Sequence, residues 1–222
     1  MSLPNPDNRP LLIGPPIGPE APFPFRMEGK VISGFGRGSK ELGIPTANLP
    51  VDDENTWIKN IDSGIYFGWA SLKLPASHPD SVLYQKPPTS EPVMEPVQQQ
   101  QQQQNQQQAK LVDQQTGQWQ IYPMVMSIGY NPFYKNTVRS AEVHVLGEFA
   151  ADFYGVEMRL LITGFIRNEK DYSGLEALIA DIKFDCEVAR HSLARKGWRV
   201  RELGVKDGEE DEGELDGSWL VR

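Results

Sequence analysis

Residues 29–50 read GKVISGFGRGSKELGIPTANLP, and this stretch decides the scaffold. Glycines at 34, 36 and 38 permit positive φ and close approach of backbone N–H groups to an anion. Arg37 and Lys40 supply positive charge beside them. A Walker loop needs Gly-Lys followed by Ser or Thr and then a helix. Here the order is Gly38-Ser39-Lys40-Glu41, and Pro45 and Pro50 interrupt any helix of useful length. A Rossmann turn fails for the same reason. A protein-kinase loop needs glycine where Ser39 stands, and neither His-Arg-Asp nor Asp-Phe-Gly follows. The turn therefore reads as a phosphate cradle on a β-type scaffold, with a plain glycine-rich hairpin loop as the bland alternative. Thr46 and Asn48 alternate on extended chain, so a hydroxyl and an amide carbonyl share one face. Such hard oxygen donors suit Mg²⁺ and also admit Mn²⁺ or Zn²⁺.

Outward from this stretch, the apolar segments read as strands: 30–33, 64–74 (GIYFGWASLKL), 120–128 (QIYPMVMSI), 140–147 (SAEVHVLG) and 156–166 (VEMRLLITGFI). Pro123 marks an edge or a bulge in the third. Strands at this spacing, with no helix between them, predict an all-β core in which an antiparallel sheet closes into a small barrel. One helix follows. Ser173 and Glu176 have capping-box spacing, apolar positions 175, 178, 179, 182, 186, 189 and 193 lie on one face, and Gly197 can end it. Cys186 belongs to that stripe and reads as an inert buried thiol.

Composition bounds the organisation. Residues 1–24 form a proline-rich arm with little periodic hydrophobicity, and 25–200 form the body, which is interrupted by a polar insertion at about 75–117. Within that insertion, residues 98–108 are all glutamine apart from Asn105, a run without apolar surface to offset chain entropy. The formal charge is −8, and seven acidic side chains between 207 and 216 sit in the tail, 201–222. The body is thus near neutral and lacks the footprint of a nucleic-acid binder, while the tail reads as a solvated, disordered end. No apolar run approaches the roughly 20 residues of a membrane span. The N-terminus lacks the pattern of a signal peptide. The single cysteine excludes an intramolecular disulfide. An intracellular, cytoplasmic monomer is the expectation.

The strand at 140–147 places Ala141, Val143 and Val145 on one face and Glu142 and His144 on the other. Its carboxylate is flanked by SIGYNPFYKNTVRS upstream and DFYG, 152–155, downstream. Aromatic loops beside a polar strand face make a slot for a flat ligand. An ordinary solvent-facing glutamate is the competing reading, and His144 stays unassigned. The tryptophans at 57 and 69 read as packing residues.

Taken in order, GFGRGSKELGIPTANLP, GIYFGWAS, SIGYNPFYKNTVRSAEVHV, DFYG and GFIRNEKDYSGLEALIADIKFDCEVAR resemble the riboflavin kinases (flavokinases) of eukaryotes, in particular the fungal type. The resemblance covers about 130 residues, the size of one ordinary domain. The arm, the glutamine insertion and the acidic tail have no counterpart in that family's core. It implies a six-stranded antiparallel, Greek-key-like β-barrel with a C-terminal packing helix. It also implies transfer of the γ-phosphoryl of ATP to the 5′-hydroxyl of riboflavin, giving FMN and ADP. Carried over residue by residue, it implies that Thr46 and Asn48 hold Mg²⁺. Gly34, Lys40, Thr46 and Tyr154 would contact ATP, Glu142 would be the catalytic carboxylate, and Arg167 would lie near the flavin. A non-enzymatic flavin- or nucleotide-binding barrel is the alternative. Synthesis of FAD would need a second nucleotide domain with a His-containing phosphate motif, which the histidines at 78, 144 and 191 do not form.

Overall fold

The apolar runs become six strands of one sheet: β1 Phe25–Lys30, β2 Ala47–Leu49, β3 Gly64–Leu74, β4 Gln118–Gly129, β5 Ser140–Val145 and β6 Glu157–Asn168. The computed structural model describes residues 6–33, 43–51, 56–83, 117–130, 139–203 and 213–222. The strand order is β1-β6-β3-β4-β5-β2, and every neighbouring pair is antiparallel. Strands β3, β4 and β5 form a meander with β6 returning beside β3, which is the Greek-key order. The sheet curls until its two ends meet. There the Ile32 N–H donates to the Asn48 carbonyl at 2.9 Å, an antiparallel bridge that joins the chain beyond β1 to β2.

Alternation along the strands builds two cores. Met27, Leu49, Tyr66, Leu72, Met124, Met126, Ile128, Val143, Leu160 and Ile162 fill the barrel interior. Phe67, Trp69, Val125 and Leu161 point outward and are covered by a helix, α1 (Leu175–Ala194), and by Trp198. Phe67 stacks on Trp198 with ring centroids 5.6 Å apart, and the Trp69 indole N–H donates to the Trp198 carbonyl at 2.9 Å. Trp69 is thus a packing residue. Bulges in the β3–β6 pairing allow this double coverage, and they need glycine. A Cβ on Gly68 would lie 2.1 Å from the Leu161 carbonyl oxygen, and one on Gly164 would lie 2.4 Å from the Phe67 ring.

Several features depart from the sequence expectations. The first strand starts at Phe25 rather than at 30, because 25–30 pairs with β6 before the chain enters the glycine turn. Pro123 lies in the interior strand β4 opposite Trp69, one residue past the end of the β4–β5 register, where its carbonyl accepts the Leu146 N–H at 2.8 Å and only the return bond at the ladder's end is forgone. Helix α1 is capped by the backbone of Gly174, with no side-chain bond, and Ser173 does not cap it. Leu175 is exposed, and the buried stripe runs through Asp181, Phe184, Asp185, Val188, Ala189, Ser192 and Leu193. Hydrophobic spacing finds Ala189 and Leu193 of this stripe but not Asp181 and Asp185, because these two members are carboxylates. The helix closes at Ala194, and Gly197 is instead a close-contact residue: a Cβ there would sit 2.5 Å from the Ile17 backbone.

The two buried aspartates explain why the arm folds. Arg9 donates to Asp181 at 2.9 Å and to Asp185 at 2.6 Å, Arg167 donates to Asp185 at 2.7 Å, and Lys170 and the Tyr172 hydroxyl each reach Asp181 at 2.7 Å. Burial pulls the Asp181 pKa up, but Lys170, Tyr172, Arg167 and Arg9 outweigh it and leave the group below its ordinary value. The arm then follows α1. The Ile13 N–H donates to the Ser192 hydroxyl, and Arg195 and the Trp198 indole donate to the Gly14 and Pro15 carbonyls. The end of the tail is folded too. Leu220 is fully buried, its carbonyl accepts from the Ser71 hydroxyl at 2.7 Å, and the Trp219 ring lies under Arg26 and Arg159. Residues 75–83 also pack on the barrel, where the Asp80 carboxylate accepts the Ala150 N–H and Gln120 bonds the Val82 N–H. The glutamine run 98–108 lies outside the described residues. Among the described residues no helix is long and apolar enough to cross a membrane.

Replacing Arg9 by methionine removes one cation shared by two buried carboxylates, and the expected loss of unfolding free energy is about 3 kcal/mol in urea at neutral pH. The deficit should shrink as the pH falls below the ordinary aspartate value near 3.8, because a group held below that value contributes stability above it and loses it on protonation. A change within about 0.5 kcal/mol, the size of a surface substitution, would place the arm outside the cooperative unit.

Candidate active site

Register builds the site. Across the sheet, Asn48 of β2 pairs with Glu142 of β5, Glu142 with Ser127 of β4, Ser127 with Ile65 of β3, and Ile65 with Arg167 of β6. Directly paired residues project to the same face, so these five form one row on the outside of the barrel. Asn48 is buried, while Glu142, Ser127 and Arg167 are half-buried. Burial pushes the Glu142 carboxyl above its ordinary pKa, and the charge of Glu169 pushes it further in the same direction.

Thr46 is half-buried and immediately precedes β2, so the hydroxyl and the Asn48 amide belong to one short segment beside Glu142. His144 anchors that segment. Its Nδ1 lies 2.8 Å from the Pro45 carbonyl, a contact that requires the Nδ1–H tautomer. Burial lowers the His144 pKa, partly opposed by the Pro45 bond, so the ring stays neutral near pH 7. The Glu-x-His spacing put both side chains on one face in the sequence, but the role of the histidine in holding Pro45 needed the fold.

Tyr154 is exposed in the turn that ends at Gly155, whose φ is +77°. The Gly155 N–H donates to the Val31 carbonyl at 2.8 Å, which places Tyr154 beside the chain entering the glycine turn. Gly34 and Lys40 lie outside the described residues. Arg167 is committed to Asp185 through Nε and Nη2, at 3.0 and 2.7 Å, and its Nη1 donates to the Asn168 carbonyl at 3.1 Å. It therefore holds the end of β6 to α1. Burial works against its charge, but the Asp185 bond prevails and raises its pKa.

Three further residues were not singled out from the sequence. The Ser127 hydroxyl donates to Glu169 Oε1 at 3.2 Å. Arg139, buried at the start of β5, donates to the Ile61 carbonyl at 2.7 Å, to the Ser63 hydroxyl at 2.9 Å and to the Ile58 carbonyl. It fixes the chain before β3 against the strand that carries Glu142. Among the described residues no group of three or more His, Cys, Asp or Glu side chains is placed to hold a metal. The oxygens beside Glu142, the Thr46 hydroxyl and the Asn48 amide, are hard donors that fit a divalent cation.

Fold and row together define a small antiparallel barrel with a carboxylate and an amide side by side on its outer face. The family model of flavokinase, described as riboflavin kinase, matches residues 21–193. The chain is 88% identical to a riboflavin kinase of Neurospora crassa, with full coverage of both chains. It is 67% identical to one of Chaetomium globosum, covering 98% of this chain and 94% of that one. It is 42% identical to one of Emericella nidulans, covering 92% and 91%. The crystal structure of riboflavin kinase from Trypanosoma brucei shares the fold, with a TM-score of 0.51 at 21% identity over 88% of this chain and all of that one. The chain belongs to the riboflavin kinase family.

A carboxyl whose folded-state pKa is raised contributes stability below its ordinary value near 4.5 and loses it as the pH rises through the folded value. Glu142→Gln should therefore melt at a higher temperature than the wild type at pH 7, and the gain should vanish near pH 4. Thermal melts without nucleotide check this. An equal gain at both pH values would contradict the stated environment of Glu142.

Proposed function

We propose that this barrel transfers the γ-phosphoryl of ATP to the 5′-hydroxyl of riboflavin, giving FMN and ADP, as an ATP:riboflavin 5′-phosphotransferase. The observation that carries the residue assignment is the register pairing of Asn48 with Glu142, which sets a neutral oxygen ligand directly beside a half-buried carboxylate. Phosphoryl transfer asks mainly for positioning and charge neutralisation, because its transition state is loose. A divalent cation held by Thr46 and Asn48, Mg²⁺ on this reading, neutralises charge on the phosphate oxygens when bound. Gly34 and Lys40 hold the nucleotide phosphates, and Tyr154 contacts the nucleotide from the neighbouring turn.

Glu142 accepts a hydrogen bond from the 5′-hydroxyl, orients its oxygen toward the γ-phosphorus and takes the proton as the bond to phosphorus forms. An alcohol is a poor proton donor to an ordinary carboxylate, and a raised pKa narrows that gap. Arg167 serves the flavin end of the row, with Asp185 fixing its guanidinium. A cytoplasmic monomer is part of this proposal.

Purified protein incubated with riboflavin, ATP and Mg²⁺ should form FMN, resolved by chromatography. Glu142→Gln should lower kcat by roughly 10²- to 10⁴-fold, the span of a general base. Riboflavin binding without FMN formation would favour a binding barrel instead, and wild-type turnover in Glu142→Gln would remove that residue from the mechanism. Thr46→Ala should shift the Mg²⁺ titration of the rate to higher concentration, and an unchanged titration would contradict its role as a ligand.

A further inference from the structure

We infer that Glu169, together with Ser127, is a specificity-determining contact for the secondary hydroxyls of the flavin's ribityl chain. The inference rests on the proposed placement of the 5′-hydroxyl at Glu142. Ser127 stands one strand further along the row, at the same level as Glu142 and about 4.8 Å away in the direction of pairing. Its hydroxyl donates to Glu169 Oε1 at 3.2 Å, and among the described residues no other hydrogen bond to the hydroxyl's lone pairs or to the carboxylate is made. Glu169 is exposed, so a ligand lying along the row can reach it.

The backbone has made room for this carboxylate. A Cβ on Gly129 would lie 2.4 Å from both oxygens of Glu169. Gly129 does not have the positive φ that would otherwise call for glycine; it is a paired strand residue opposite Ser140. What the missing side chain provides is the space in which the carboxylate sits.

Acceptor chemistry then orders the substrates. Glu142 and Glu169 both lie on the Ser127 side of Asn48, with the charges of Arg139 and Arg167 acting on Glu169, so this end offers hydrogen-bond acceptors without a net excess of negative charge. On the proposed reading the phosphates take the Thr46–Asn48 end. A polyol chain is the complementary guest for the other end, because each hydroxyl donates a hydrogen bond and carries no charge. The chain would run from Glu142 toward Ser127 and Glu169, with its secondary hydroxyls donating to the carboxylate.

Steady-state kinetics on the full chain test this with two acceptors: riboflavin, and an isoalloxazine bearing a hydroxypentyl chain that keeps the terminal hydroxyl and lacks the secondary ones. Glu169→Ala should raise the KM for riboflavin by roughly 10- to 100-fold, the loss of hydrogen bonds to a charged group. The KM for the hydroxypentyl flavin and the KM for MgATP should not move. Gly129→Ala displaces the carboxylate without deleting it and should erode the same preference. A riboflavin KM unchanged in Glu169→Ala, or one that rises equally for both flavins, overturns the assignment while leaving the kinase intact. Absence of FMN with the wild type would overturn the functional reading on which it rests.

Discussion

Asn48 carries the constraint on which the rest depends. Its carbonyl accepts the Ile32 N–H that closes the barrel, and its position in β2 is registered on Glu142. Closing the sheet and assembling the site are therefore one event. A slip of one residue in the β2–β5 pairing would send Asn48 inward and an apolar neighbour outward, since the side-chain period is two. The burial of Ala47 and Leu49 on either side of Asn48 opposes that slip. Local supports reinforce the register: His144 holds the Pro45 carbonyl, and Arg139 ties the start of β5 to the chain before β3.

The other end of the row is held by charge rather than by apolar packing. Asp181 and Asp185, fully buried on α1, gather Arg9, Arg167, Lys170 and Tyr172 and so join the arm, the end of β6 and the helix. Buried ion pairs seldom add much net stability over apolar packing, but they cost heavily when one partner is lost. Such a network specifies position. It orients Arg167 and leads the chain into Glu169, whose carboxylate meets Ser127.

Much of this was legible in the sequence. The interiors of β3 to β6 follow from apolar, β-branched and aromatic runs, and β3 matches its expected bounds, 64–74. Prolines around the Thr-Ala-Asn step excluded a helix and left an extended segment, which became β2. Periodicity found the helix and, with Ala189 and Leu193, part of its buried face, but not Asp181 and Asp185, because spacing rules count these as polar and therefore exposed. For the same reason the arm and the tail seemed unable to pack: their anchors are Arg9, backbone carbonyls and Leu220, contacts with partners more than a hundred residues away along the chain. The pairing of Glu142 with Asn48 is a matter of register between β5 and β2, strands distant in sequence, which no local pattern encodes.

A crystal structure of the protein with riboflavin, ADP and Mg²⁺ tests the central claim most directly. The account predicts the 5′-oxygen of the flavin within hydrogen-bond reach of Glu142 and the cation on Thr46 and Asn48. A flavin seated elsewhere, for example in the groove lined by Glu28, Gly29, Lys30, Trp119, Glu157, Met158 and Arg159, with Glu142 facing solvent alone, would contradict it.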